Sequence, residues 1–125
     1  MSLALCAAAG PVSVWAAYPD KPIRLIVPFT AGGATDVAGR LLADELGKKL
    51  GGSVFVENRE GAAGVIGVQA VARSPADGNT LVIAGNSLFT SHKTLYPNLP
   101  YDPLRDFEPV ARISAGSHII VVKPN

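Results

Sequence analysis

Main-chain groups, rather than reactive side chains, are the strongest candidates for chemistry in this sequence. Ala31, Gly32 and Gly33 follow a short apolar run, and Thr35 and Asp36, which favour the start of a helix, come shortly afterwards. Small residues leave backbone N–H groups accessible, and the positive end of a helix dipole attracts negative charge. The pattern therefore predicts a site for a carboxylate or another small anion. The two glycines are equally consistent with nothing more than a tight turn from strand to helix.

The sequence does not match the common phosphate-binding, dinucleotide-binding or catalytic motifs. A phosphate loop needs G-x-x-x-x-G-K-[ST] and a dinucleotide fingerprint needs G-x-G-x-x-G, and Gly32-Gly33 has the spacing of neither. The sequence contains no G-x-S-x-G elbow and no H-E-x-x-H. The one cysteine, Cys6, lies in the N-terminal segment, neither His92 nor His118 lies near a plausible nucleophile, and we expect His92 to be a surface residue. These features argue against an enzyme and predict no metal and no cofactor.

An alternation of strands and helices would position the loop. Apolar runs rich in β-branched residues predict three buried strands, at residues 23–27, 54–57 and 80–84. The segments between them predict helices at residues 35–50 and 65–73. Strands joined by helices run parallel with right-handed crossovers, and ligands of such sheets lie beyond the carboxyl ends of the strands. We therefore expect an α/β fold with a parallel, doubly wound sheet, in which Asn86 and Ser87 lie beside Thr30 to Gly33.

The first helix and the last third of the chain carry further patterns. Five apolar residues of the helix form a stripe that we expect to face the sheet: Val37, Leu41, Leu42, Leu46 and Leu50. Residues 96–103 contain three prolines, which predicts an ordered loop rather than a regular helix or strand. Two more short strands are predicted at residues 110–115 and 119–122.

Six short segments occur in a fixed order: YPDKPIR at 18–24, PFTAGGATD at 28–36, VENR at 56–59, ADGNTL at 76–81, LYPNLPYDP at 95–103 and DFEPVA at 106–111. Together they resemble the receptors of tripartite tricarboxylate transporters, also called the Bug family. The resemblance covers essentially all of residues 18–125. It implies an extracytoplasmic solute-binding protein with two α/β lobes and a cleft between them, which captures a small organic acid and delivers it to a membrane permease.

The resemblance also implies where the ligand is held. Loops after the three strands contribute, through main-chain N–H groups and a few side chains. The implied ligand-binding residues are Phe29, Thr30, Ala31, Gly32, Gly33, Asp36, Gly61, Ala62, Asn86 and Ser87. The implied ligand is a mono- or dicarboxylate, with a tricarboxylate or an amino acid as further options, and the implied protein partner is the permease.

The sequence departs from the family pattern at three places. Glu60 stands where a proline is usual, Ala63 where a glycine is usual, and His92-Lys93 where Asn-Pro is usual. We expect the Glu60 carboxylate, near the rim of the cleft, to disfavour a multiply charged acid.

Composition and the ends of the sequence add to these predictions. The formal net charge is +1, from 11 basic and 10 acidic residues, so nothing indicates nucleic acid. Residues 1–16 combine an apolar run with Val14 and Ala16 at the −3 and −1 positions of a signal-peptidase site, although no basic residue precedes the run. We therefore expect a signal-peptide remnant and a periplasmic location.

The remaining residues, 17–125, are assigned to an N-terminal ligand-binding lobe. We expect this lobe to be incomplete, because most of the family's second lobe has no counterpart in the sequence. A receptor fragment that binds no ligand is the main alternative, and a small α/β enzyme is a weaker one.

Overall fold

The computed structural model describes residues 18–116 and 121–123. Strands and helices alternate between residues 23 and 95. The strands and helices are, in chain order, β1 Ile23–Val27, α1 Ala34–Leu50, β2 Val54–Asn58, α2 Val65–Ala72, β3 Thr80–Val82 and α3 Ser91–Leu95. Two short 3-10 turns, Ala62–Gly64 and Asn86–Leu88, precede α2 and α3. The strands and helices predicted before residue 90 are therefore confirmed, with the third strand two residues shorter than predicted.

The strands form one parallel sheet in the order β2-β1-β3, as predicted. Leu25 at the centre of β1 lies opposite Val56 on one side and Leu81 on the other. Apart from Arg24, every residue of β1 is buried. A central strand of a parallel sheet has neighbours at both edges and cover on both faces, which explains why β1 is a nearly continuous apolar run.

Helices α1 and α2 cover opposite faces of the sheet, which makes it doubly wound. On one face, Ala43 of α1 packs with Leu25 and Val27. On the other face, Val65 of α2 lies in a second cluster, against which Val82 packs. The chain steps from β1 to β2 on one side and then crosses back to β3 on the other, so the strand order reverses beside β1. Open α/β sheets bind their ligands at such a switch point.

Small residues, rather than leucines, bring α1 close to the sheet. Gly39 and Ala43 are buried, whereas Val37 is 52% exposed and Leu41 is 66% exposed. Only part of the predicted apolar stripe therefore faces the sheet, including Leu42, which packs against the core cluster. A Cβ placed on Gly39 would lie 3.0 Å from Val27 Cγ2, which shows how near the helix backbone lies to β1. Because such an approach leaves no room for large side chains, the glycine and alanine positions decide which face of the helix is buried.

The segment after α3 packs aromatic side chains and then has no regular structure. The Tyr101 and Phe107 rings meet edge to face with centroids 5.6 Å apart, and the Tyr101 hydroxyl donates to the Leu88 carbonyl at 2.8 Å. Residues 108–116 form neither helix nor strand, so the strand predicted at residues 110–115 is wrong. An extended segment needs a neighbouring strand for its main-chain hydrogen bonds, and no strand of the described ranges pairs with it.

The other predicted strand and the predicted leader fall partly or wholly outside the described residues. Residues 121–122 are not in a strand, and residues 119–120 are not described. The signal-peptide remnant, residues 1–16, also lies outside the described residues. Among the helices of the described ranges, none combines the length and the apolar character that crossing a bilayer requires.

Candidate functional site

Three loops leave the carboxyl ends of the three strands and meet at the end of β1. They are loop 1 (residues 28–33), loop 2 (residues 59–64) and loop 3 (residues 83–88). A Cβ placed on Gly64 of loop 2 would lie 3.0 Å from Leu88 Cδ2 of loop 3 and 3.5 Å from Phe29 Cε1 of loop 1. All three loops therefore touch at one point, and the structure brings together the parts of the chain that carry the predicted site residues.

The Asp36 carboxylate ties loop 1 to the rest of the lobe. This side chain is buried, with the residue 2% exposed. Its Oδ2 accepts the Gly32 N–H and the Arg40 Nε–H, both at 2.9 Å, and its Oδ1 accepts from Asn58 Nδ2 at 2.9 Å. Asn58 also donates to the Phe29 carbonyl at 3.1 Å. The hydrogen bond from Arg40, together with those from Gly32 and Asn58, lowers the pKa of Asp36 to about 2, so the carboxylate is ionised at neutral pH.

This network changes two predicted roles. The expectation that the Gly32 N–H is free for a ligand is wrong, because Asp36 accepts it. Asp36 itself is buried and accepts from Gly32, Arg40 and Asn58, so it positions loop 1, and its contact with a ligand stays a prediction. The Gly33 N–H donates to the Thr30 carbonyl over 3.4 Å, which is a long and weak bond. Within the described ranges, the Ala31 N–H and the first N–H groups of α1 donate to no protein acceptor, and they remain open to an anion.

Arg40 and Asn58 are site residues that the sequence analysis does not identify. Arg40 neutralises the charge of Asp36, and Asn58 joins the end of β2 to loop 1. Arg40 lies four residues after Asp36, which is the helical spacing of an ion pair, so a signal for it exists in the sequence. Asn58 offers no local signal, because its two partners are 22 and 29 residues away.

Loop 2 contains four consecutive residues with positive φ: Gly61 at 125°, Ala62 at 46°, Ala63 at 53° and Gly64 at 95°. This backbone suits glycine, whereas each alanine there costs roughly 1–2 kcal/mol. The Gly64 N–H closes the turn by donating to the Gly61 carbonyl at 3.0 Å. Strain of this kind persists where the surrounding structure dictates the conformation, and it is common at ligand sites. Two predicted site residues, Gly61 and Ala62, thus lie in a tightly defined turn.

A side-chain hydrogen bond joins loops 1 and 2 at the surface. The Thr30 hydroxyl donates to a Glu60 carboxylate oxygen at 2.6 Å, and both residues are exposed. The Thr30 hydroxyl hydrogen is therefore already engaged by the protein.

Loop 3 presents the remaining predicted contacts. Asn86 and Ser87 are exposed in the turn Asn86–Leu88, and within the described ranges their side chains make no hydrogen bond. The Asn86 carbonyl accepts the Phe89 and Thr90 N–H groups, which fixes the turn. The amide of Asn86 and the hydroxyl of Ser87 are therefore free donors on an ordered backbone.

His92 of α3 is buried, so its predicted surface position is wrong. The residue is 8% exposed, its ring centroid is 4.8 Å from that of Tyr96, and its Nδ1 has no hydrogen-bond partner within the described ranges. It is buried because α3 packs this aromatic ring inward and leaves Lys93 and Thr94 outside. Among the described residues, no group of three His, Cys, Asp or Glu side chains could hold a metal ion.

One cavity lies at the segment after α3, and another lies along α2 beside Arg59 of loop 2. The larger, of about 450 Å³, is lined at the Tyr96–Asp102 segment by Lys93, Tyr96, Pro97, Leu99, Pro100, Tyr101 and Asp102. The smaller, of about 280 Å³, is lined by Arg59, Ile66, Gln69, Ala70 and Arg73 along α2.

Comparison with known proteins extends these observations. A family model described as "Tripartite tricarboxylate transporter family receptor" matches residues 38–125. The protein BugT of Bordetella pertussis (strain Tohama I) is 43% identical over 123 residues, which are 98% of this chain and 37% of BugT.

Solved structures show the same fold. The periplasmic binding protein BugD is 42% identical with a TM-score of 0.70, over 74% of this chain and 30% of BugD. MatC (Rpa3494) from Rhodopseudomonas palustris, solved with bound malate, is 36% identical with a TM-score of 0.71, over 74% of this chain and 32% of MatC. The chain spans about a third of the length of these relatives. On these matches, the chain belongs to the family of tripartite tricarboxylate transporter receptors.

Proposed function

We propose that this chain is the N-terminal ligand-binding lobe of a periplasmic solute-binding receptor that captures a small organic carboxylate for the permease of a tripartite transporter. Residues 17–125 form the lobe in this proposal, and residues 1–16 belong to an export signal. The observation that carries the proposal is the meeting of loops 1–3 at the switch point of the sheet. There the Ala31 N–H and the first N–H groups of α1 have no acceptor among the described residues.

The Asp36 network makes such a site compatible with a negative ligand. An ionised aspartate beside a bound carboxylate would repel it, but Arg40 neutralises that charge at 2.9 Å. The same network holds loop 1 before the ligand arrives, which lowers the entropic cost of binding. A carboxylate at loop 1 would then accept from the Ala31 N–H and from the first N–H groups of α1, with the α1 dipole contributing.

The other two loops would complete the contacts of this lobe. Asn86 and Ser87 offer side-chain donors, and the turn at Gly61 and Ala62 borders the same surface. Phe29 packs against both core clusters and would place an apolar edge beside the carboxylate. The malate bound to MatC supports a small organic carboxylate as the class of ligand. A second lobe would close the cleft over it.

Thermal unfolding of the 125-residue chain with a panel of acids tests the proposal. We expect at least one mono-, di- or tricarboxylate to raise the melting temperature, since a ligand at 100 times its Kd stabilises by ~2.7 kcal/mol. Ser87→Ala should weaken the apparent affinity about three- to tenfold, because it removes one hydrogen bond. The matched control is Ser114→Ala, which changes an exposed serine in the segment without regular structure.

Absence of stabilisation by every acid in the panel would contradict the proposal. That outcome would favour the alternative of a chain that binds no ligand by itself. A loss of affinity in Ser114→Ala equal to that in Ser87→Ala would place the binding site outside the loop cluster.

A further inference from the structure

Glu60 lies where loops 1 and 2 meet. Its carboxylate accepts the Thr30 hydroxyl at 2.6 Å, and both side chains are exposed. Thr30 directly precedes Ala31, whose N–H is one of the open donors. The charge of Glu60 therefore stands at the rim of the proposed carboxylate site.

No cation of the described ranges neutralises this charge. Arg40 pairs with Asp36, and Arg59, the residue before Glu60, pairs with Glu57. No Lys, Arg or His nitrogen in residues 18–116 and 121–123 lies within 4.0 Å of the Glu60 carboxylate. The hydrogen-bond partner of Glu60 is the neutral Thr30 hydroxyl. The negative charge of Glu60 is therefore not balanced and acts on any ligand that approaches from solvent.

The backbone on both sides fixes the position of Glu60. On one side, the Arg59 N–H donates to the Val27 carbonyl at 2.9 Å. On the other side, the positive-φ turn from Gly61 to Gly64 begins directly after Glu60. The carboxylate is therefore displayed from an ordered segment.

We propose that Glu60 is a specificity-determining residue: it disfavours ligands that bring a second carboxylate to the junction of loops 1 and 2, and it favours ligands with an ammonium group there. This inference rests on the proposed function, because it names the class of carboxylate that the same site accepts. Two effects act together. The Glu60 charge repels a second anion and attracts a cation, and it also engages the Thr30 hydroxyl, which is then not free to donate to a ligand carboxylate.

A matched pair of ligands isolates the charge effect. Succinate and 4-aminobutanoate have four carbons and one carboxylate in common, and they differ in whether the far end is a carboxylate or an ammonium group. We expect Glu60→Gln to shift the ratio of the two Kd values towards succinate by at least about threefold, the scale of an exposed charge pair. Raising the ionic strength from about 0.01 M to about 0.5 M should reduce the preference of the unmodified chain, because salt screens exposed charges.

Glu45→Gln is the control, because it removes the same charge from an exposed position on α1. An unchanged ratio in Glu60→Gln, or an equal shift in Glu45→Gln, overturns the inference while leaving carboxylate binding intact. If neither compound nor any acid of the wider panel stabilises the chain, the proposed function itself fails, and this inference fails with it.

Discussion

At the scale of single residues, the buried carboxylate of Asp36 organises the candidate site. Asp36 accepts three hydrogen bonds, from Gly32, Arg40 and Asn58, which come from loop 1, α1 and β2. Its ionised form is therefore part of the folded structure. Because these donors lower its pKa from the ordinary 3.8 to about 2, the contribution of Asp36 to stability is complete above about pH 3.8 and is lost as the pH falls through about 2.

We expect Asp36→Asn to lower the free energy of unfolding at neutral pH and to change how this free energy depends on pH. The asparagine amide can accept hydrogen bonds with its one oxygen, but its NH2 group would lie against a neighbouring donor. Part of the hydrogen-bond network around residue 36 is therefore lost. The difference in unfolding free energy between the two chains should shrink as the pH falls from about 5 to about 2.5. Denaturant unfolding over that pH range measures it, with Asp44→Asn, an exposed surface aspartate, as the control. A difference that stays constant with pH would contradict the role given to the ionised carboxylate.

The residues of loop 1 show what a sequence can and cannot reveal at this scale. The position of a turn at Ala31, Gly32 and Gly33 could be predicted, because small residues directly before a helix start are a local sequence signal. The inward turn of the Asp36 side chain could not be predicted in the same way. It depends on Asn58, which reaches loop 1 only after β2 has paired with β1.

At the scale of strands and helices, the contact between α2 and the end of β1 fixes the geometry of the loops. A Cβ on Gly67 would lie 2.7 Å from the Arg59 carbonyl oxygen, 2.7 Å from Pro28 Cβ and 2.9 Å from Pro28 Cα. Two of these three neighbours are main-chain atoms, so they cannot rotate away. Loop 1 and loop 2 therefore rest on the same helix backbone.

Gly67→Ala should destabilise the chain by about 1–3 kcal/mol, because a buried methyl group would have to displace backbone. Denaturant unfolding checks the value. Gly116→Ala is the matched control, since its Cβ would meet no atom within 4 Å, and we expect little change there. Equal effects of the two substitutions would show that the close contact at Pro28 is not needed for stability.

The three strands of the sheet could be predicted well, because runs of β-branched residues favour few other structures. The observed bounds of β1 match the predicted ones. The buried face of α1 could not be predicted from its leucines. Helix and strand approach each other closely at Gly39, and that distance depends on the whole sheet rather than on the periodicity of one helix.

At the scale of the whole molecule, large apolar side chains are exposed in the segment after residue 103. Leu104 and Val110 are each 82% exposed, and Val121 and Val122 are also exposed. The strand predicted at residues 110–115 is wrong because strand formation needs a pairing partner, and a partner depends on the entire fold rather than on the segment. Apolar side chains in such a position favour contact between molecules.

We expect the chain to self-associate at micromolar concentrations, and the triple substitution Leu104→Ser, Val110→Ser and Val121→Ser to lower its average mass in sedimentation. The melting temperature should change little, since these side chains are already in solvent. The control changes Val37 and Leu41 to serine, because those exposed apolar residues lie on the regular helix α1. A monomeric unmodified chain, or an equal drop in mass for the control, would contradict this expectation.

The close contact of Gly67 with Pro28 also distinguishes two kinds of positions. At one kind a substitution disturbs the backbone, and at the other kind it does not. Every codon change at residue 67 that alters the amino acid adds a Cβ against backbone, so purifying selection should keep this site invariant. Residue 60 meets one hydroxyl and open solvent, so mutations there leave the framework intact. In the proposed receptor, substitutions at residue 60 would therefore change which ligands bind, whereas the backbone contacts at residue 67 would stay the same.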